Sequence, residues 1–155
     1  MKLSGGVEWA VHCCVVLSQA EAPVPGGRLA EFHGVSSSYL AKHLQALSRA
    51  GIVRSTQGQT GGYALTRAAA RISVLDVVQA IDGDAPAFRC TEIRQRGPLG
   101  MRKRDCTSPC GIAHVMATAE AAWRDSLASV SIADLADGLR PGPALPGIAT
   151  WLRSA

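Results

Sequence analysis

Leu40, Leu44 and Leu47 recur at spacings of four and three, with Ser36-Ser37-Ser38 ahead of them and Gly51 behind. That spacing puts all three leucines on one face of an α-helix. A serine in front caps free N–H groups, and a glycine behind takes the left-handed conformation that closes a helix. A shorter helix is predicted over 28–33, with Leu29, Ala30 and Phe32 inward and Gly34 at its end, before the helix over 39–50. Two short helices joined by a tight Gly-Val-Ser turn form the helix-turn-helix pattern. Residues 52–56 and 63–66 then read as strands on either side of a tip that holds Gly58, Gly61 and Gly62, which is a hairpin.

The flanking segments complete an organisation that is mainly α with a small β-hairpin wing. Ser4 is placed to cap a first helix running to about Ala20, with Val7, Val11, Cys14 or Val15, and Leu17 as its apolar stripe. Residues 73–81 predict a helix with Leu75, Val78 and Ile81 on one side, stopped by Asp82-Gly83-Asp84. Residues 83–111 have no convincing hydrophobic period. A long amphipathic helix is predicted over 112–130 from Val115, Met116, Ala119, Ala122, Trp123 and Leu127, of a kind that pairs with a symmetry mate. A short helix follows over 131–139, and the Pro- and Gly-rich end is expected to be loosely held. The predicted domains are a winged helix-turn-helix domain over 1–82, a ligand-bearing loop over 83–111, a dimerisation helix region over 112–139 and a C-terminal tail over 140–155.

With 155 residues, 47% of them hydrophobic and 18% charged, the chain can bury one core. A net charge of +4 permits a polyanionic partner without requiring one. No run of 18 apolar residues and no secretion signal is visible, so the chain reads as cytoplasmic, without a membrane segment. No Gly-x-Ser-x-Gly, phosphate loop or nucleotide fingerprint appears, so neither an enzyme nor a small-molecule substrate is expected.

A helix enters the major groove of double-stranded DNA with its N-terminal residues against the base edges. Ser36, Ser37, Ser38, Tyr39, Lys42 and His43 stand in that part of the second helix, and Arg28 on the helix before it. Hydroxyls and a lysine suit phosphate or base contacts. Gln57, Gln59 and Thr60 at the wing are placed to reach an adjacent groove or the backbone.

Five cysteines is an odd number, and without a secretion signal the thiols are read as free or metal-bound. Cys13 and Cys14 lie in an apolar helical run and read as small core residues. Cys90, Cys106 and Cys110 lie instead in the loop poor in core-forming residues. Glu8 and His12 stand one helical turn apart on the first helix. Soft thiolates together with a carboxylate and an imidazole suit an iron–sulfur or a zinc site. His114, four residues after Cys110, makes Cys90, Cys106, Cys110 and His114 a possible zinc set.

Three stretches carry a resemblance: Gly34-Val-Ser-Ser-Ser-Tyr-Leu-Ala-Lys-His-Leu, Leu47-Ser-Arg-Ala-Gly-Ile-Val-Arg-Ser and Gly61-Gly-Tyr-Ala-Leu-Thr-Arg. With Leu75-Asp-Val-Val-Gln-Ala-Ile-Asp-Gly they resemble the winged-helix iron–sulfur regulators that include IscR and NsrR, over roughly residues 1–130. The opening fourteen residues and Cys90–Leu99 look closest to the redox-sensing members. The resemblance implies a homodimer that binds DNA. It also implies a 2Fe-2S cluster with two thiolates on one side and Glu8 plus His12 from the partner subunit on the other. Which two of the three loop cysteines serve stays open, with Cys110 first in order, then Cys106, then Cys90. Several members carry three closely spaced cysteines, whereas here fifteen residues separate Cys90 from Cys106 and three separate Cys106 from Cys110. A histidine ligand raises a cluster's potential relative to four thiolates. The expected activity is a redox-sensing repressor, with Trp9 as a candidate relay. The alternatives are a nitric-oxide or iron–sulfur-status sensor with a different cluster, or a zinc-stabilised winged-helix protein.

Overall fold

In the computed structural model, residues 3–58, 61–139, 142 and 144–154 are described. Gln59 and Thr60, expected at the tip of the wing, lie outside them. The chain divides into two compact units, one of residues 2–83 with 127–155 and the other of Asp84–Ser126.

The first unit is built around α1 (Gly5–Ser18), whose Ala10, Cys13, Cys14, Val16 and Leu17 are at most 4% exposed. Around it pack α2 (Gly26–His33), α3 (Ser37–Arg49), α4 (Val74–Asp82) and α6 (Ile132–Gly138), contributing Leu29, Leu40, Leu44, Leu47, Val77 and Ile132. Ser4 precedes α1 as expected and its carbonyl accepts from the Val7 N–H at 3.1 Å, but its hydroxyl caps no N–H of that helix. Its hydroxyl and its backbone N–H both donate to the Asp82 carboxylate, the latter at 2.9 Å, so the start of α1 is pinned to the end of α4.

Gly34 at φ +65° closes α2, and Ser36 opens α3 with its hydroxyl accepting from the Tyr39 N–H at 3.2 Å. Gly51 follows α3 at φ +69°, as its position predicts. Strands β1 (Val53–Thr56) and β2 (Gly62–Leu65) pair antiparallel, Val53 facing Leu65 and Thr56 facing Gly62. Val24 extends the wing base through a bridge to Tyr63, and a Cβ on Gly62 would collide with the backbone of Val24 and Pro25. Ser73 and Ser131 form reciprocal capping boxes with Asp76 and Asp134 and bridge to each other, which joins α4 to α6.

The C-terminal segment is not a loose tail. Residues Ala144–Arg153 form α7, with Leu145 and Ile148 buried at 7% and 8% exposure. Pro146 is tolerated because it sits in the first turn, where a helix has no internal acceptor for its N–H groups. The guanidinium of Arg28 stacks 3.8 Å over the Trp151 ring and donates to the Trp151 carbonyl at 3.1 Å, while Phe32 meets the same ring edge-on.

The second unit holds most of α5 (Gly111–Ala128) and the loop ahead of it. Glu120 accepts from the Ala87 N–H at 3.1 Å and pairs with Arg124, which donates to the Asp84 carbonyl at 2.8 Å. Short 3-10 turns at Ile93–Gln95 and Lys103–Asp105 interrupt the loop. None of the 18 residues of α5 is buried, and Ile112, Val115 and Met116 are 61%, 64% and 43% exposed. No helix among the described residues is long and apolar enough to cross a membrane.

Candidate nucleic-acid interface and metal-ligating residues

At the N-terminal end of α3, Ser37, Ser38 and Lys42 are exposed and Tyr39 is half-buried. The Lys42 ammonium sits 4.4 Å over the Tyr39 ring, which holds this charge beside the first turn of the helix. The Ser36 hydroxyl is committed to the cap. On the wing, Gln57 is exposed, and Arg54 donates to the Leu65 carbonyl at 3.3 Å. Two of the expected contacts point elsewhere. Arg28 is held by Trp151 and by Glu31, at 2.9 Å. The ring of His43 is turned inward, 8% exposed, against Tyr39 and the bare backbone of Gly6. Its position explains this, since residue 43 lies three after Leu40 and four before Leu47 and so belongs to the buried stripe.

Glu8 and His12 are both exposed on α1. Glu8 has no hydrogen-bond or ion-pair partner among the described residues, and His12 meets the His33 ring at 6.2 Å. Trp9, between them in sequence, packs edge-on against His33 at 5.9 Å and Tyr39 at 6.2 Å. A line of rings thus runs from His12 through His33 and Trp9 to Tyr39 and His43. His33 was not anticipated from sequence. Its Nε2 is buried without a partner, and burial, with a smaller contribution from His12, pulls its pKa below the usual histidine value. His43 behaves alike, through burial first and then the Lys42 charge.

All five thiols are free. Cys13 and Cys14 are fully buried, which pushes each thiol up to about 12 and leaves both inert. Cys90 is exposed, and Cys106 and Cys110 are half-buried. Cys90 also lines an apolar groove of about 430 Å3 along α5, with Phe88, Ala113 and Ala117. Its thiol donates to Glu92 at 3.3 Å, and Glu92 is paired with Arg94. Arg94 in turn donates to the Ser108 carbonyl, between Cys106 and Cys110. The Arg94 hydrogen bond, then that of Cys90, holds the Glu92 carboxyl below its ordinary range. In the sequence this pair is visible only as an acid and a base two residues apart beside Cys90. Among the described residues of one chain, no three His, Cys, Asp or Glu side chains gather to hold a metal, so the set Cys90, Cys106, Cys110 and His114 is not preassembled. The thiols of Cys90, Cys106 and Cys110 in one unit and the carboxylate and imidazole of Glu8 and His12 on α1 are nevertheless donors of the chemistry iron needs.

This architecture, a helix-turn-helix followed by a two-stranded wing, is that of a winged-helix regulator. The chain belongs to the Rrf2 family, described as iron-dependent transcriptional regulators, whose model matches residues 3–138. The HTH-type transcriptional regulator IscR of Xenorhabdus nematophila is 39% identical over 92 residues, which cover 58% of this chain and 56% of that protein. Among solved structures, T. potens IscR superposes with a TM-score of 0.65 at 25% identity, covering 89% of this chain and 88% of that one. CymR, the global cysteine regulator of B. subtilis, shares the fold with a TM-score of 0.65 at 20% identity, over 88% of this chain and 97% of its own. Members of the family are transcriptional regulators, not enzymes.

Proposed function

We propose that this chain is a homodimeric, DNA-binding repressor whose affinity for its operator is set by the oxidation state of a 2Fe-2S cluster. The observation that carries the reading is α5 and what precedes it. An 18-residue helix exposes Ile112, Val115 and Met116 and buries none of its residues, directly after Cys106 and Cys110. An apolar face of this kind is suited to cover by a second copy of the chain. Pairing through α5 makes a dimer, and a dimer carries the two winged helices needed to read two half-sites.

In this reading Ser37, Ser38, Lys42 and Gln57 contact DNA, and Ser36 and Tyr39 order the start of α3. Lys42 neutralises a phosphate, which makes binding salt-dependent. Two of Cys90, Cys106 and Cys110 hold one side of the cluster, and Glu8 with His12 of the partner protomer the other. When bound, the cluster supplies a one-electron couple, exchanged with an external reductant. Glu8 and His12 stand one turn apart and so act as a pair, the carboxylate keeping negative charge at the site and the neutral imidazole adding none. His33 packs behind His12, and Trp9 links that face of α1 to Tyr39 at the start of α3. A change of one charge unit at a subunit joint is enough to bias a two-state element. We assign the oxidised form as the one that binds DNA.

The test is anaerobic iron and sulfide analysis of the wild type beside Glu8→Ala, His12→Ala and Cys→Ala at positions 90, 106 and 110. The expected result is two irons and two sulfides per protomer in the wild type, since a two-fold dimer has two such sites, and loss or a changed spectrum in both α1 variants. Full retention in Glu8→Ala and His12→Ala contradicts the mixed ligand set.

A further inference from the structure

The loop ahead of α5 has little apolar material to hold it, for Ile93, Leu99 and Met101 are 64%, 94% and 45% exposed. Polar contacts hold it instead, and they meet at Arg94. Its Nε and Nη2 donate to Glu92 Oε2 at 3.2 and 2.8 Å, and Nη2 also donates to the Ser108 carbonyl at 3.0 Å. Its own carbonyl accepts from the Met101 N–H at 2.8 Å. Glu92 passes the link on to Cys90: its Oε1 accepts from the thiol at 3.3 Å, and its N–H donates to the sulfur at 3.4 Å. Glu92 sits at φ +50°, the one described non-glycine residue in the left-handed region. A conformation of that kind persists where surrounding contacts over-determine it, and both carboxylate oxygens of Glu92 are engaged.

An ion pair between neighbours on a surface contributes little by itself. This one differs because the same guanidinium reaches a carbonyl fourteen residues away, in the short segment between Cys106 and Cys110. A planar guanidinium holds its donors in a fixed fork, so it bonds the carboxylate and the carbonyl together in a preset geometry that a flexible ammonium does not impose. Cys106 and Cys110 are also near enough for their thiolate charge to act on it.

We propose that Arg94 is the positioning residue of the cysteine site, tying the Cys90 turn to the Cys106–Cys110 segment and fixing one positive charge beside the thiolates. The tie presets the spacing of ligands that fifteen residues separate in sequence. The guanidinium offsets the Glu92 carboxylate that touches Cys90, so its presence favours the electron-rich form of whatever the thiolates hold and raises the reduction potential relative to a chain without it. The second of these consequences rests on the cluster assigned above; the first does not.

Two measurements on the full chain separate them. In reduced, metal-free protein, a short bis-maleimide is expected to join Cys90 to Cys106 or Cys110 within one chain, read by peptide mass spectrometry. Arg94→Gln and Arg94→Lys both lower that yield several-fold, since an ammonium cannot form the fork, while circular dichroism stays that of the wild type. In anaerobically loaded protein, Arg94→Gln shifts the midpoint potential more negative. A tenfold change in the oxidised-to-reduced ratio corresponds to about 59 mV for one electron. Arg94→Lys stays near the wild type because the charge remains. Wild-type linking yield in Arg94→Gln overturns the tie, and a wild-type potential in that variant overturns the charge role. A wild type that takes up no cluster refutes the charge role and the functional reading together, and the linking yields still decide the tie.

Discussion

The imidazole of His43 lies against the bare Cα of Gly6, so that a Cβ there would stand 2.5 Å from Cε1 and 2.8 Å from Nδ1. This contact sets how closely α3, the helix assigned to the groove, approaches α1. Gly6→Ala gains up to about 1 kcal/mol in helix propensity but overpacks a buried ring, which costs about 1–3 kcal/mol. The variant is expected to be less stable in urea and to bind DNA more weakly. In a His43→Ala background the same substitution becomes neutral or stabilising, and that reversal is the specific check.

Helix α7 lies outside the residues matched by the family model yet belongs to the core. Ile148→Ala is expected to cost about 2–4 kcal/mol through the cavity it leaves. Trp151→Ala removes the stack on Arg28 and the edge contact with Phe32, and is expected to cost about 1–2 kcal/mol. Urea denaturation of both variants measures these losses directly.

His43 and His33 set the acid side of the stability profile. Both are held below the ordinary histidine value, chiefly by burial. As pH falls through about 6.5 the unfolded chain therefore takes up protons before the folded one, and stability declines. Melting temperature of the metal-free protein should be level above pH 7 and drop toward pH 5.5, with a shallower drop in His43→Gln.

Burial separates the five thiols into two classes. Cys90, Cys106 and Cys110 should react with iodoacetamide at pH 8 in the native metal-free protein, while Cys13 and Cys14, each raised to about 12, react only after unfolding. Mass spectrometry of a timed reaction counts three modified residues, then five in denaturant.

Much of the architecture was legible because it follows from period and punctuation. Leu40, Leu44 and Leu47 define α3, Gly34 and Gly51 mark helix ends with positive φ, and the glycines after Thr56 mark the hairpin. What escaped depends on partners distant in sequence. Proline and glycine in the last sixteen residues read as coil, whereas Pro146 falls where a helix tolerates it and Leu145 and Ile148 find the core. Arg28 reads as a groove contact until Trp151 is placed over it. His43 reads as polar and outward when residue type is followed instead of register. The cysteine loop has no hydrophobic period to read, because a polar link through Glu92 and Arg94 holds it.

In the proposed function, one electron at the thiolate site changes how the winged helices grip DNA. Affinity for the operator, measured without oxygen and at one salt concentration on the same preparation before and after one-electron reduction, tests this most directly. The expected result is at least a fivefold loss of affinity on reduction, the low end of a coupling of about 1–3 kcal/mol, restored on reoxidation. Equal affinities in the two states would contradict it.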